Sequence, residues 1–362
     1  MALHRVNIDH YASQLEQKAA RLRDAYRRFT HLAPEIHPSP PIHYRLRAEF
    51  KIWHEKRKAH YAMYRPGEYK QPFVIEEFQV GSLLMNQLMP QVMAAVNSSE
   101  TLRQRLFSAE FLTTLSGDAL VTLIYHKKLD QSWEAEARAL QNQLGFPVLG
   151  RSRKQKLVLE RDYVTEKLQI GDRSYEYKQV EGSFTQPNGA VCRSMIGWTK
   201  DVCSGSEGDL LELYCGNGNF TIPLCEHFTR VLATEISKVS VLAAQENIRA
   251  NGVTNLAVAR LSSEELTQAI DKVRPFRRLR DIDLDSYDFS TVLVDPPRAG
   301  LDPDTCAMLA RFPRILYISC NPETQLENLE RLSGTHRIAR FALFDQFPYT
   351  DHTETGLLLV RK

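Results

Sequence analysis

Two patterns of apolar and polar positions follow one another along this 362-residue chain. In the first, Leu15, Ala19, Leu22 and Tyr26 recur at helical spacing and predict a helix over residues 11–26, with a strongly basic opposite face. Pro34, Pro38, Pro40 and Pro41 end that helix and open an extended segment. Over residues 42–54 basic and apolar side chains alternate, as on a half-exposed strand. Residues 119–128 form a second strand candidate, and residues 151–156 a further basic stretch. This half reads as α+β.

From about Gly208 the pattern changes. Short apolar runs at 209–215, 230–236, 256–261, 291–295, 315–320, 338–344 and 356–360 alternate with helical segments. Seven strands with helical crossovers imply a largely parallel α/β sheet. The last two runs lack a helix-length connection, so they predict an antiparallel hairpin. A parallel sheet closed by one such hairpin resembles a class I methyltransferase, a likeness of fold that establishes no activity. The predicted organisation is therefore an α+β region over 1–180, followed by a Rossmann-like seven-stranded domain over 181–362. The sequence contains no internal repeat and no low-complexity tract.

Composition narrows the class. Hydrophobic residues make up 43% and charged residues 25%, ordinary for a soluble globular chain with a sizeable core. No segment approaches the ~18 apolar residues of a membrane span. The stretch from Met1 to His10 has no apolar signal core, so a cytoplasmic location is expected. Net charge is only +2, so affinity for nucleic acid has to be read locally. The interleaved basic and aromatic residues before 160 suit looped or single-stranded RNA, whose bases stack on rings while phosphates meet Lys and Arg. A solvated strand face accounts equally well for the basic strand alone. The six cysteines, at 192, 203, 215, 225, 306 and 320, include no Cys-x-x-Cys pair. Neither a metal nor an iron–sulfur cluster is signalled, and a disulfide framework is not expected. Five of them read as small buried hydrophobes. Cys320 requires another explanation.

The first run of the second pattern ends in Glu212-Leu213-Tyr214-Cys215-Gly216-Asn217-Gly218-Asn219-Phe220, and a helix holding Pro223 in its first turn is expected next. The glycines let backbone turn tightly and approach a ligand closely. The third glycine of the dinucleotide fingerprint is missing, and Gly-x-Gly alone is weak. Glu235 ends the next run, where a carboxylate can accept from both ribose hydroxyls. With no phosphate clamp required, S-adenosylmethionine fits better than NAD. The fourth run delivers Asp295-Pro296-Pro297-Arg298-Ala299-Gly300, whose prolines force an extended, rigid turn. The fifth delivers Ser319-Cys320-Asn321-Pro322-Glu323-Thr324, with Cys320 at the strand's mouth.

These stretches, with Phe184-Thr185-Gln186-Pro187-Asn188, residues 344–352, 43–54 and 125–129, resemble the RNA uridine C5-methyltransferase family. Within it they are most similar to the tRNA branch that forms 5-methyluridine at T-loop position 54. The resemblance covers essentially the whole chain. It implies that Cys320 is a nucleophile. Uracil C5 is a poor nucleophile; a thiolate adding to C6 places electron density on C5, which then takes the sulfonium methyl, and a base removes the C5 proton before the thiolate leaves. A free thiol has a pKa of about 8.5, so surroundings that favour the thiolate are expected. The same resemblance makes Glu354 the proton acceptor and places Gln186, Tyr214, Asn219, Glu235 and Asp295 at S-adenosylmethionine, with Asp295 able instead to hold the uracil edge. It makes Phe107, Lys51 and His126 RNA contacts, although a single Phe in Leu106-Phe107-Ser108 is as readily a core residue. Implied partners are the tRNA T-loop and tRNA-like RNA such as tmRNA, bound by a monomer. Alternatives are ribosomal RNA as substrate, a tRNA-folding factor without catalysis, and a flavin- and folate-dependent methylase. Relatives acting on ribosomal RNA commonly carry an extra barrel or an iron–sulfur cluster; no cysteine precedes residue 192 here. The Asp-Pro-Pro motif does not suit a flavin.

Overall fold

The structure, a computed structural model, describes residues 6–65 and 71–362. Residues 1–5, the start of the stretch read for a signal core, lie outside the described residues. The chain forms two compact units. One holds the described residues up to Asp9, Pro40–Lys167 and Gln179–Ala190; the other holds His10–Ser39, Leu168–Lys178 and Val191–Lys362.

The first unit is built on a seven-stranded sheet. Its strands lie in the order Pro72–Ile75, Lys58–Tyr64, Arg47–Glu55, Leu106–Thr113, Ala119–Tyr125, Val148–Ser152 and Gln155–Val158. Neighbours are antiparallel except Ala119–Tyr125 and Val148–Ser152. Those two run parallel because helix Gln131–Leu144 crosses over between them. Asp130 caps that helix, its side chain accepting from Trp133 N at 2.9 Å. Its buried stripe of Trp133, Ala137, Leu140 and Leu144 joins Phe50, Phe111 and Met85 in one core. From Arg47 to Phe50 burial alternates along the strand as the basic–apolar alternation predicts. The basic stretch 151–156 forms the tip of the hairpin that ends the sheet.

The second unit holds an eight-stranded sheet in the order Glu35–His37, His336–Phe344, Glu354–Arg361, Arg314–Ser319, Phe289–Val294, Asp209–Leu213, Val231–Thr234 and Leu256–Ala259. All seven predicted strands form. The five from Arg314–Ser319 outward run parallel, and Glu354–Arg361 inserts antiparallel between Arg314–Ser319 and His336–Phe344. This is the class I methyltransferase arrangement. The eighth strand, Glu35–His37, comes from the extended segment after the first helix and pairs parallel with His336–Phe344. Alternate residues face opposite cores. Leu211, Val292, Val294, Ile315 and Tyr317 pack with Leu22 and Tyr26 of the first helix, while Leu210, Leu293, Leu316 and Ile318 pack with Ile196 and Trp198. The first helix spans Tyr11–Tyr26, as predicted, and belongs to this second unit. Its buried residues are Lys18, Leu22 and Tyr26, so one basic residue lies on the apolar stripe. No helix among the described residues is long and apolar enough to cross a membrane.

Candidate active site

The strands of a parallel sheet end together at one edge, and ligands of such sheets gather where strand order reverses. Here that point lies beside Asp209–Leu213, which has the strand after it on one side and Phe289–Val294 on the other. The glycine-containing loop leaves this strand with Tyr214, Gly216 and Gly218 at φ 62°, 56° and 85°. Glu235, just past strand Val231–Thr234, holds the loop: its Oε2 accepts from Gly216 N at 3.1 Å and its Oε1 from Ser237 N at 2.7 Å. Tyr214 donates its hydroxyl to Ser263 Oγ at 2.8 Å. Asn219 Oδ1 accepts from the Cys192 thiol at 3.4 Å, while its buried Nδ2 has no hydrogen-bond partner in the protein. The expected helix after the loop is a single turn, Thr221–Leu224, continued by a 3-10 turn. Pro223 lies in that first turn, as expected.

S-adenosylmethionine fits this loop. An orphaned buried amide such as Asn219 Nδ2 costs free energy until a ligand acceptor meets it. A methyl group added at Gly216 would meet no other protein atom within 4 Å, so the backbone there borders open space. Tyr214, Asn219, Glu235 and Asp295 are the second-unit residues that would hold the group. Gln186 is half-buried and lies in the first unit.

Cys320 follows strand Arg314–Ser319 and precedes helix Pro322–Leu332. Asn321 caps that helix, accepting from Glu323 N at 3.2 Å, and Pro322 occupies its first turn. Asn321 Nδ2 and Thr324 Oγ1 both donate to the Arg298 carbonyl, at 3.0 and 3.3 Å. The Asp295–Gly300 turn and the Cys320 turn are thereby tied together. Glu354 opens strand Glu354–Arg361, the antiparallel sheet neighbour of Arg314–Ser319; Thr355 pairs with Ser319, which places Glu354 across the ladder from Cys320. The other five cysteines are buried, and Cys320 alone is half-exposed. A cleft of about 400 Å³ opens on Cys320, Arg298, His352 and Thr353.

Cys320, Asp295 and Glu354 lie close enough at this edge to influence one another. Burial, then Glu354 and Asp295, push the Cys320 thiol up to about 11, while Arg298 draws it down. Burial also raises Asp295 to about 7 and holds Glu354 well above the usual carboxylate range, Asp295 adding to the latter. The expectation of surroundings that favour a thiolate is therefore not met by the protein alone. Loss of solvation outweighs the cation and the helix N-terminus. Two groups at this edge carry no sign in the sequence patterns beyond their place in the motifs. Glu212 is buried, has an Oε2 without a partner, and is raised by burial to about 8. His352 Nδ1 accepts from Arg298 at 2.8 Å, and burial, with Arg298 next, lowers its pKa.

In the first unit, Phe107 sits at a β-bulge, where register slips between Leu106 and Ser108. The extra residue turns Phe107 outward to 37% exposure while both neighbours stay buried. His126 stacks on its ring at 4.1 Å, and Lys51 Nζ lies 4.2 Å from its centre. The three residues expected to meet RNA therefore form one cluster. Beside it is a cleft of about 960 Å³, lined also by Lys127, Lys128, Arg153 and Lys154.

The profile of the tRNA (uracil-5-)-methyltransferase family matches residues 10–362. The tRNA/tmRNA (uracil-C(5))-methyltransferase of Saccharophagus degradans is 55% identical over 361 residues, 99% of each chain. That of Stutzerimonas stutzeri is 55% identical over 362 residues, covering both chains in full. Among solved structures, the Pyrococcus abyssi tRNA (uracil-54, C5)-methyltransferase in complex with S-adenosyl-L-homocysteine superposes with a TM-score of 0.73 at 22% identity. It covers 97% of this chain and 83% of its own. At that identity the likeness shows the fold.

Proposed function

The chain belongs to the tRNA (uracil-5-)-methyltransferase family, and from that membership we propose that it methylates C5 of the T-loop uridine at position 54 of tRNA. The observation that carries the reading is the meeting of Cys320, Glu354 and Asp295 at one sheet edge beside the glycine loop. When bound, S-adenosylmethionine supplies the electrophilic methyl that C5 takes up. Cys320 forms a bond from sulfur to C6, and Asp295 holds either the donor or the uracil edge. Glu354 then accepts the C5 proton, the electron pair restores the C5–C6 double bond, and the S–C6 bond breaks to release Cys320. A carboxylate with raised proton affinity suits that task.

Gln186 completes the set proposed for the methyl donor. Phe107, with Lys51 and His126, offers a ring and cations to an unstacked base and its phosphates. A base inside a folded loop has to be extruded before Cys320 can reach it. The first unit is assigned this RNA-holding role, tmRNA is a second substrate through its tRNA-like part, and the enzyme works as a cytoplasmic monomer.

Labelled S-adenosylmethionine incubated with unmodified tRNA should label the T-loop uridine and leave a tRNA lacking that uridine unlabelled. No transfer to intact tRNA overturns the proposal, and transfer only to ribosomal RNA reassigns the substrate. RNA carrying 5-fluorouridine should trap a covalent adduct, because C5 then has no removable proton. A trap that persists in Cys320→Ala would assign the nucleophile elsewhere.

A further inference from the structure

Helix Tyr11–Tyr26 stands near the start of the chain, yet it forms one wall of the cleft that opens on Cys320. Apart from Tyr11, whose hydroxyl accepts from Ser39 N at 2.7 Å, two groups of its polar contacts bracket Cys320 and Glu354. The first group grips the hairpin loop, residues 345–353, which leads into Glu354. Lys18 is only 1% exposed; its Nζ donates to Asp345 Oδ1 at 2.6 Å and to the Phe347 carbonyl at 2.8 Å. Gln14 Nε2 donates to Asp345 Oδ2 at 3.0 Å, and Gln14 Oε1 accepts from Tyr349 N at 3.4 Å. The second group reaches the Cys320 side. The buried Tyr26 hydroxyl donates to Gln325 Oε1 at 2.6 Å, and Thr355 Oγ1 donates to the same oxygen at 2.8 Å. Thr355 follows Glu354, and its ladder partner Ser319 precedes Cys320.

Stability does not explain a lysine here. Lys18 shares its stripe with Leu22 and Tyr26, four and eight residues on, where an apolar side chain would pack without desolvating a charge. Removing an ammonium and a carboxylate from water costs several kcal/mol per ion, roughly offset only when the geometry is good and hydrogen bonds are complete. What the pair supplies is direction: one ammonium fixes a carboxylate and a carbonyl two residues apart in a loop whose backbone is otherwise tied to the sheet at its start, where Asp345 N donates to the His37 carbonyl at 3.0 Å. We infer that Lys18 is a positioning residue for Glu354, holding through Asp345 and Phe347 the loop that delivers the proton acceptor, while Tyr26 acts through Gln325 and Thr355 to keep Glu354 in register with Cys320. The inference rests on the proposed reaction. It singles out one step: addition by Cys320 survives loss of Lys18, whereas removal of the C5 proton does not.

The test compares full-length wild type, Lys18→Met, Tyr26→Phe and the double variant Lys18→Met/Asp345→Leu on unmodified tRNA with labelled S-adenosylmethionine. Turnover, denaturation-resistant RNA–protein adduct and thermal melting are read together. For Lys18→Met, kcat should fall roughly ten- to a hundredfold, the range that misplacement by about an ångström produces. KM for tRNA should stay near wild type, and methylated adduct should accumulate because its release stalls. The double variant, with an apolar pair in place of the ions, should regain melting temperature but not turnover. If Lys18→Met does not fold, the double variant and Tyr26→Phe, which keeps the ring, carry the same adduct readout. Turnover recovering together with stability, or adduct and product falling in parallel, would make the helix merely structural and overturn the inference. A wild type without transfer overturns the proposed function and the inference with it; a competent wild type separates the two.

Discussion

At the residue scale, burial governs the chemistry of the site. Asp295, Glu354 and Glu212 each retain a proton to higher pH than a solvated carboxylic acid, because the charged form loses hydration. A base with a raised pKa is available only once pH has risen through it. We therefore expect kcat/KM for tRNA to climb across neutral pH rather than level off near pH 5.5, as it would for an unperturbed glutamate; a pH–rate profile under subsaturating tRNA checks this. The same shifts affect stability. Glu212 binds its proton more tightly folded than unfolded, so its contribution is full at low pH and is lost as pH rises from about 4 toward about 8. Glu212→Gln, which does not titrate, should melt higher than wild type at pH 8 and converge with it by pH 5. Equal melting at both values would show that Glu212 is solvated or partnered.

At the scale of elements, two turns and a hairpin present the chemistry, and each holds a side chain or backbone group that the regular ladder could not. The glycine loop is the clearest case. An alanine at position 216 would be strained by a φ of 56°, costing about 1–2 kcal/mol, without striking any protein atom within 4 Å. Its methyl would instead project into the space assigned to the methyl donor. Gly216→Ala should therefore remain folded, with a modest loss of melting temperature, but show a severalfold higher KM for S-adenosylmethionine and an unchanged KM for tRNA. Isothermal titration with S-adenosylhomocysteine gives the same comparison without turnover. The bulge at Phe107 is a second such element. It turns one ring outward from a strand whose neighbours are buried. Stacking of a base on an aromatic ring is worth about 1–3 kcal/mol, so Phe107→Ala should raise KM for tRNA about 5- to 150-fold at nearly constant melting temperature. A destabilised protein with normal KM would return Phe107 to the core.

Across the whole molecule, the first unit collects exposed cations beside Phe107, and the second collects acids around Cys320. A net charge of +2 conceals this separation. If the first unit meets phosphates, tRNA affinity should fall steeply with salt. Arg153→Ala combined with Lys154→Ala should then reduce the slope of log affinity against log salt by roughly one to two. The sequence by itself determined much of this protein. Alternation of apolar runs and helices specified seven strands and their closing hairpin, and strand-end motifs located the glycine loop, Asp295 and Cys320. These are readable because a parallel strand is buried on both faces and its carboxyl end is where chemistry collects. The first helix was equally legible from its 3.6-residue period, but its allegiance was not. Only tertiary structure placed Tyr11–Tyr26 in the unit that carries Cys320 and grouped Phe184–Asn188 with the other. It also buried Lys18 against Asp345 across 327 residues of chain, raised the thiol instead of lowering it, and slipped one register to expose Phe107. Local patterns record which face of an element is apolar. They do not record what covers that face, and desolvation, ion pairing and bulges depend on the cover.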